Sequence, residues 1–405
     1  MTPEQPPARL RYIPALDGLR GLSLPGTVLT HFALLLAAEP TAPHWLDSVG
    51  PLTMNIQMFF VLSGALITSL LVSEHQRRGD MQLGNFYLRR SRRLGPALLA
   101  VLPAMILLTV LWPGHGVFQS LGAHPARSVI AVALFVGNWV LYAVSGGIGW
   151  LGPAWTLGIE EQFYLTWPWV LRGASRRRVE RRVVLMCLGL AVIVALAITQ
   201  ILYSHVGRQR TFYSTPAQLP SILIGCALGY ELTANPVSRL TTLLRSRLVA
   251  LLGLAGMVVV SIVASHHQAF EIRGWYVVYA AFACLLIGHC FVRAAEPTLV
   301  TRFFAWRPFV IIGQISYEAY LVHIIVMFAV LRAWPGLHVY PMMALDVAIV
   351  AVVSAGFYYL VEQPIRRKGW SAVLFRRRPS DLGSVAAPQR EFAESGRADV
   401  LANER

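Results

Sequence analysis

Long apolar windows alternate with short, arginine-rich breaks along most of the chain. Windows of bilayer-crossing length, roughly 17 to 25 residues, fall near 17–38, 52–72, 94–112, 155–171, 183–203, 217–232, 249–265, 274–292, 309–331 and 341–361. Each predicts a transmembrane helix, since hydrocarbon offers the backbone no water to bond. A further apolar piece at 128–144 decides the topology. If it crosses fully, every downstream basic cluster moves outside: Arg172 with Arg176 to Arg178, Arg181/Arg182, Arg239/Arg245/Arg247, Arg293/Arg302/Arg307 and Arg366/Arg367/Lys368. If it is re-entrant or interfacial, these join Arg9, Arg11, Arg77, Arg78, Arg89, Arg90, Arg92 and Arg93 in the cytoplasm. The positive-inside rule selects the second arrangement. The predicted fold is all-α, a polytopic transmembrane bundle of about ten spans plus one re-entrant or interfacial segment, with both termini cytoplasmic.

Composition agrees with this pattern: 56% of residues are hydrophobic and 14% charged, with a mean hydropathy of +0.55, too apolar for a soluble domain. The net charge of +15 is spread over the breaks between windows rather than gathered in one patch. It therefore points to the lipid bilayer and not to nucleic acid. Few positive charges fall in the predicted outer loops (Arg127, Arg208, Arg210, Arg273), and Trp112, Trp155, Trp275 and Trp334 are expected as interfacial aromatics near outer span ends. Cys187, Cys226, Cys284 and Cys290 lie in apolar windows without CxxC spacing, so neither a disulfide framework nor a metal site is expected. The run ending LLLAAEPTAP has the outline of a signal peptide, but Arg20 and His31 within it argue otherwise. The expected organisation is a membrane domain over 1–374 and a disordered cytoplasmic tail over 375–405, rich in polar residues, without internal repeat or appended soluble domain. Arginine outnumbers lysine 34 to 1, which suggests a GC-rich bacterial genome and hence the bacterial cell membrane.

Ionisable residues inside apolar windows carry the candidate chemistry, because they are costly there and face protein interior or polar cavities. Arg20 and His31 are eleven residues apart. That spacing places them within about 20° on one helical face and about 16 Å apart along the axis. Arg90 and Arg93, three apart at the start of the third window, also share a face. Glu160 and Glu161 are adjacent and point about 100° apart, so they do different jobs.

Six strings occur in order: YIPALDGLRGL (12–22) with the downstream His31, MFFVLSGALITSLL (58–71), FYLRRSRRLGPAL (86–98), WTLGIEEQFYLTWP (155–168), GQISYEAYLVH (313–323) and VEQPIRR (361–367). Together they resemble the acyltransferase 3 family of bacterial integral-membrane O-acyltransferases over residues 12 to 368. The resemblance implies transfer of an acyl group, often acetyl, from cytoplasmic acyl-CoA to a hydroxyl of a cell-surface glycan, glycolipid or wall polymer. Its arginine and histidine match Arg20 and His31, its RxxR motif Arg90 and Arg93, its acidic motif Glu160 and Glu161, and its late glutamate Glu362 before Pro364.

The residues fit that chemistry. A hydroxyl attacking a thioester needs a base within hydrogen-bond reach. A neutral imidazole serves best, and a low dielectric disfavours charge. His31 is therefore the expected general base, with Glu160 and Glu161 as further catalytic candidates: one orients the acceptor or assists His31, the other pairs with an arginine. Guanidinium forks suit phosphates, so Arg20, Arg90 and Arg93 are expected to hold coenzyme A. Asp17, Ser63, Tyr317, His323 and Glu362 are given structural or accessory parts; for Ser316, Tyr317 and Tyr320, bundle packing is favoured over substrate contact. Acyl-CoA is the expected co-substrate, with no bound cofactor.

The chain departs from the family's pattern at Pro25, which is expected to kink the first span. Further departures are Asn55-Ile56-Gln57, where a carboxylate is usual, and Pro153-Ala154, where a His-Thr pair is common. The last two lie near the outer face and bear on the acceptor. Two other readings stand beside this one: an acyltransferase for a secondary metabolite such as a macrolide, and a glycolipid or small-molecule transporter. Inverted halves would mark the transporter, and none is visible.

Overall fold

The computed structural model describes residues 12–36, 43–111, 125–143, 152, 154–266 and 271–370. The expected tail over 375–405, the end of the LLLAAEPTAP run, Arg9, Arg11, Trp112 and Pro153 lie outside the described residues.

Among the described residues every regular element is helical. In chain order these are α1 (Pro14–Leu36), a 3₁₀ segment (His44–Met54), α2 (Asn55–Arg78), α3 (Leu83–Leu111), α4 (Pro125–Ala133), α5 (Gly137–Ala143), α6 (Trp155–Arg176), α7 (Arg181–Tyr213) and α8 (Thr215–Ala234). There follow α9 (Arg239–Leu244), α10 (Arg247–His266), a π turn (Glu271–Trp275), α11 (Tyr276–Val292), α12 (Leu299–Phe304), α13 (Arg307–Gln314), α14 (Ser316–Ala333), α15 (Val339–Phe357), a second π turn (Tyr358–Glu362) and α16 (Gln363–Lys368). Seven of the described helices, α1, α2, α7, α10, α11, α14 and α15, are long and apolar enough to cross a bilayer. The chain is a multi-pass membrane protein. The remaining long helices, α3, α6 and α8, carry polar side chains into the bundle: Arg90 and Arg93, Glu160 and Glu161, and Gln218.

The apolar piece at 128–144 is two short helices, not one. It breaks between α4 and α5, where Phe135 has φ 57°. Nine residues of α4 reach only about 14 Å, half the hydrocarbon thickness. The broken turn is held by polar groups. The Gln162 side-chain amide donates to Phe135 O and Asn138 Oδ1 at 2.9 Å each, and Asn138 Nδ2 donates to Thr215 Oγ1 at 3.0 Å.

Helices α2 and α8 pack face to face because both are stripped to backbone where they meet. A Cβ on Gly225 would lie 2.2 Å from Val61 O, and one on Gly229 would lie 2.2 Å from Ala65 O. Small residues four apart permit this approach in membranes. Gln57 joins the same seam: its Nε2 donates to Gln218 Oε1 at 2.7 Å, and its Oε1 accepts from Ser221 at 2.6 Å. An amide in place of a carboxylate thus satisfies both of its ends in a dry interior.

Helix α1 stays helical through Pro25, from Pro14 to Leu36. One expectation needs correction. Trp155 is buried rather than interfacial, packed against Phe60, Phe212 and Tyr213. The first residue of α6 points into the bundle, where its ring has aromatic partners. Trp334, by contrast, is 51% exposed.

One end of the bundle is marked by arginine–carboxylate pairs. Asp80, in the α2–α3 turn, accepts from Arg172 Nε at 2.9 Å and Arg176 Nη2 at 2.8 Å at the end of α6. Arg293 and Glu296, after α11, meet at 2.8 Å, and Arg366 on α16 meets Glu362 at 3.1 Å.

Candidate active site

A buried cleft of about 100 Å³ opens among α1, α2, α3, α6 and α14. Arg20 and Thr27 of α1, Ser63 of α2, Arg90 and Arg93 of α3, Glu160 and Tyr164 of α6, and Tyr317 and Tyr320 of α14 all line it. At its charged end it shares Arg90 and Arg93 with a wider mouth of about 590 Å³. Arg77, Arg78, Arg89, Arg92 and Arg366 also line that mouth, against a single carboxylate, Glu74.

The two adjacent glutamates point to different partners. Glu161 is bound by Arg90 in a fork, with Nη2 to Oε1 at 2.7 Å and Nε to the same oxygen at 3.2 Å. The same guanidinium lies 3.1 Å from the centre of the Tyr164 ring, a cation–π contact. Arg90 is thus held on both sides. Glu160 faces the cleft and meets hydroxyls instead: Tyr164 donates to Ser63 Oγ at 2.6 Å, and Ser63 donates to Glu160 Oε1 at 3.2 Å.

Arg93 differs from its neighbour. It lines both cavities and feels the charges of Arg20, Glu362, Arg366 and Arg90, yet no hydrogen bond or ion pair engages it among the described residues. Arg20 meets Asp17 at 3.2 Å, and Asp17 also accepts from the Tyr12 hydroxyl at 2.7 Å. A guanidinium left without an anion between a basic mouth and a buried cleft is suited to an anionic ligand.

His31 does not line the cleft. The lining on that side ends on Thr27, one turn earlier in α1, on Tyr320, one turn earlier than His323 in α14, and on Thr156, whose Oγ1 lies 2.8 Å from the Tyr320 hydroxyl. The His31 ring turns toward His323 instead, with Nδ1 3.1 Å from His323 Nε2 and the rings 5.0 Å apart at 48°. The shared helix face of Arg20 and His31 therefore does not make a shared cavity wall. Spacing along α1 fixes rotation, but α14 decides which neighbour each side chain meets.

Tyr317 and Ser316 bond within the bundle, to Leu94 O at 3.3 Å and Gly313 O at 2.8 Å, while also lining the cleft. Glu362 pairs with Arg366. Glu318 was not singled out in the sequence. It is buried beside Glu362, the two carboxyl groups close enough to interact. Its signal was the rule already applied to Glu160, a carboxylate within an apolar stretch. Tyr164, Thr156 and Thr27 carried no such signal, since hydroxyls are common in membrane helices. Among the described residues no group of three His, Cys, Asp or Glu side chains could hold a metal ion.

Comparison with known proteins places this arrangement. The chain is 30% identical over 383 residues to the O-acetyltransferase OatA of Staphylococcus aureus (strain NCTC 8325 / PS 47), covering 90% of this chain and 59% of that protein. It is 27% identical over 378 residues to the peptidoglycan O-acetyltransferase OatA of Listeria monocytogenes, covering 89% and 57%. The chain thus spans less than three-fifths of the length of either relative. No solved structure matches it. The profile of the family described as an acyltransferase domain matches residues 13–362, a stretch that contains Arg20, His31, both arginines of α3 and both glutamates of α6, and the chain belongs to that family.

Proposed function

We propose that this chain is a membrane O-acyltransferase that moves an acyl group, in the first place acetyl, from acyl-CoA to a hydroxyl of a cell-wall glycan. The observation that carries the reading is Arg93, an unengaged guanidinium where a basic mouth narrows into a buried cleft. The mouth, at about 590 Å³, is of the size that small-molecule sites occupy. Its arginines suit the phosphates of coenzyme A, and the narrower cleft suits the slim pantetheine arm. Arg20 and Arg93 take the phosphate side, and Arg90, locked to Glu161 and Tyr164, shapes the wall.

His31 is the general base. The acceptor oxygen attacks the thioester carbonyl carbon and its proton passes to His31; the C–S bond breaks, and the departing thiolate takes that proton. Tyr320 and Thr27 stand between the cleft and the histidine, so delivery of the thioester requires the Thr156–Tyr320 contact to open. Glu160, with Ser63 and Tyr164, supplies polar contacts to the arm or the acceptor. The ten long helices are ten crossings, with the arginine-rich end cytoplasmic under the positive-inside rule. Because Asp80 and Arg172 meet at that end, α3 leaves it and α6 returns to it, and α4 and α5 act as a re-entrant segment. A wall polymer is preferred as acceptor because the Listeria relative is named for peptidoglycan.

The test is transfer of radiolabelled acetyl from acetyl-CoA to soluble peptidoglycan fragments by the purified protein. Arg93→Ala is expected to raise the KM for acetyl-CoA about tenfold or more, the worth of a charged hydrogen bond, with less change in kcat. An unchanged KM would remove the donor assignment.

A further inference from the structure

Resting on the reading of His31 as the base, we propose that His323 is a positioning residue that fixes which nitrogen of His31 carries a proton. His323 Nδ1 lies 2.7 Å from the backbone oxygen of Tyr320. A carbonyl oxygen only accepts, so Nδ1 is the protonated nitrogen of that ring. A neutral imidazole has one N–H, and its other nitrogen accepts. His323 Nε2 is therefore bare. The atom 3.1 Å from it is His31 Nδ1; a ring N–H of His31 also reaches the backbone oxygen of Thr27 one turn back, and a proton on Nδ1 gives the bare His323 nitrogen its donor. What remains on His31 is Nε2 with its lone pair, the form a general base needs.

The opposite tautomer of His31 would set two lone pairs against each other across that contact. His323 is wholly buried and contributed by α14, so its orientation is set by packing and by the Tyr320 carbonyl of its own helix. During the reaction the proton taken from the acceptor hydroxyl sits on His31 Nε2, and Nδ1–H continues to donate to His323. The proton on His323 Nδ1 does not move. An uncharged acceptor here performs what a carboxylate does in a serine hydrolase triad, without burying a second charge in a low dielectric.

The proposal is tested on the purified full chain with acetyl-CoA and peptidoglycan fragments. His323→Gln offers a carbonyl oxygen to His31 Nδ1–H, whereas His323→Leu keeps bulk and accepts nothing. His323→Leu is expected to lower kcat about tenfold or more, with KM for acetyl-CoA nearly unchanged, and His323→Gln to recover most of that loss. A Leu variant as fast as wild type, or a Gln variant no better than Leu, overturns the proposal. Nitrogen-15 NMR of histidine-labelled wild-type protein gives an answer independent of turnover, with the His31 signals identified by their loss in His31→Gln. Nδ1 is expected to resonate as protonated and Nε2 as bare, and the reverse would be decisive against it. Full activity in His31→Ala would remove the base assignment itself; an inactive His31→Ala beside an unimpaired His323→Leu would remove only the positioning role.

Discussion

The arginine-lined mouth and the histidine pair solve opposite electrostatic problems within one bundle. At the mouth, Arg77, Arg78, Arg89, Arg90, Arg92, Arg93 and Arg366 outnumber the one carboxylate lining it, Glu74, and Arg90 is tied down by Glu161. Beyond the inner end of the cleft, His31 and His323 meet ring to ring, and His323 bonds otherwise to a backbone carbonyl. The mouth thus carries positive charge in excess. Among the described residues the pair meets no carboxylate, and a low dielectric disfavours charge on an imidazole. Hydroxyls stand between them: Thr27, Thr156 and Tyr320.

The largest loss is expected at the histidine pair. His31→Ala is expected to cut acyl transfer by about 10² to 10⁴, the usual worth of a positioned base, while leaving acetyl-CoA affinity intact. Steady-state kinetics alongside equilibrium acetyl-CoA binding separates the two. If binding falls with turnover, the regions are not independent.

Next in size is the ion pair that stiffens the mouth. Glu161→Ala leaves Arg90 half-buried without its carboxylate, a loss on the order of 3 kcal/mol. Denaturant unfolding in detergent measures it. Glu160→Gln, whose partners are neutral hydroxyls, is expected to cost only about 1 kcal/mol. Equal losses would mean the two glutamates are not divided between structure and cleft.

The smallest expected effect lies at the outermost charged cluster. Hydrogen bonds from Arg172 and Arg176 hold the Asp80 carboxyl well below the ordinary carboxylate range. A carboxylate with a depressed folded value stabilises the fold above its unfolded value, about pH 4. That contribution is lost as pH falls below this toward the folded value. Asp80→Asn is therefore expected to lower Tm slightly at pH 7, with the gap from wild type closing below about pH 4 and with turnover unaffected. A gap that persists at low pH would assign the effect to packing.

The positions of the long helices were legible because apolar length reports what a bilayer requires. The ionisable candidates were legible for the same reason, since Arg20, His31, Arg90, Arg93, Glu160 and Glu161 each stand out against an apolar background. Two adjacent carboxylates also announced two roles, because a helix turns about 100° per residue. Glu318 was missed although the same rule covered it. Trp155 was misplaced because an aromatic at the end of an apolar window reads alike whether it faces headgroups or, as here, Phe60 and Tyr213.

Residue types in the apolar stretches, their spacing along each helix and the arginines gathered between those stretches can all be read from the chain alone. That Glu161 rather than Glu160 grips Arg90, that Arg93 is left unengaged among the described residues, and that His31 meets a partner 292 residues away rather than the cleft below it emerges only once the helices pack. The reason is geometric. Periodicity fixes the direction of a side chain about its own helix axis, but which neighbour it meets depends on the rotation and depth of a second helix. That placement is set by the whole bundle's packing, down to the bare glycines between α2 and α8.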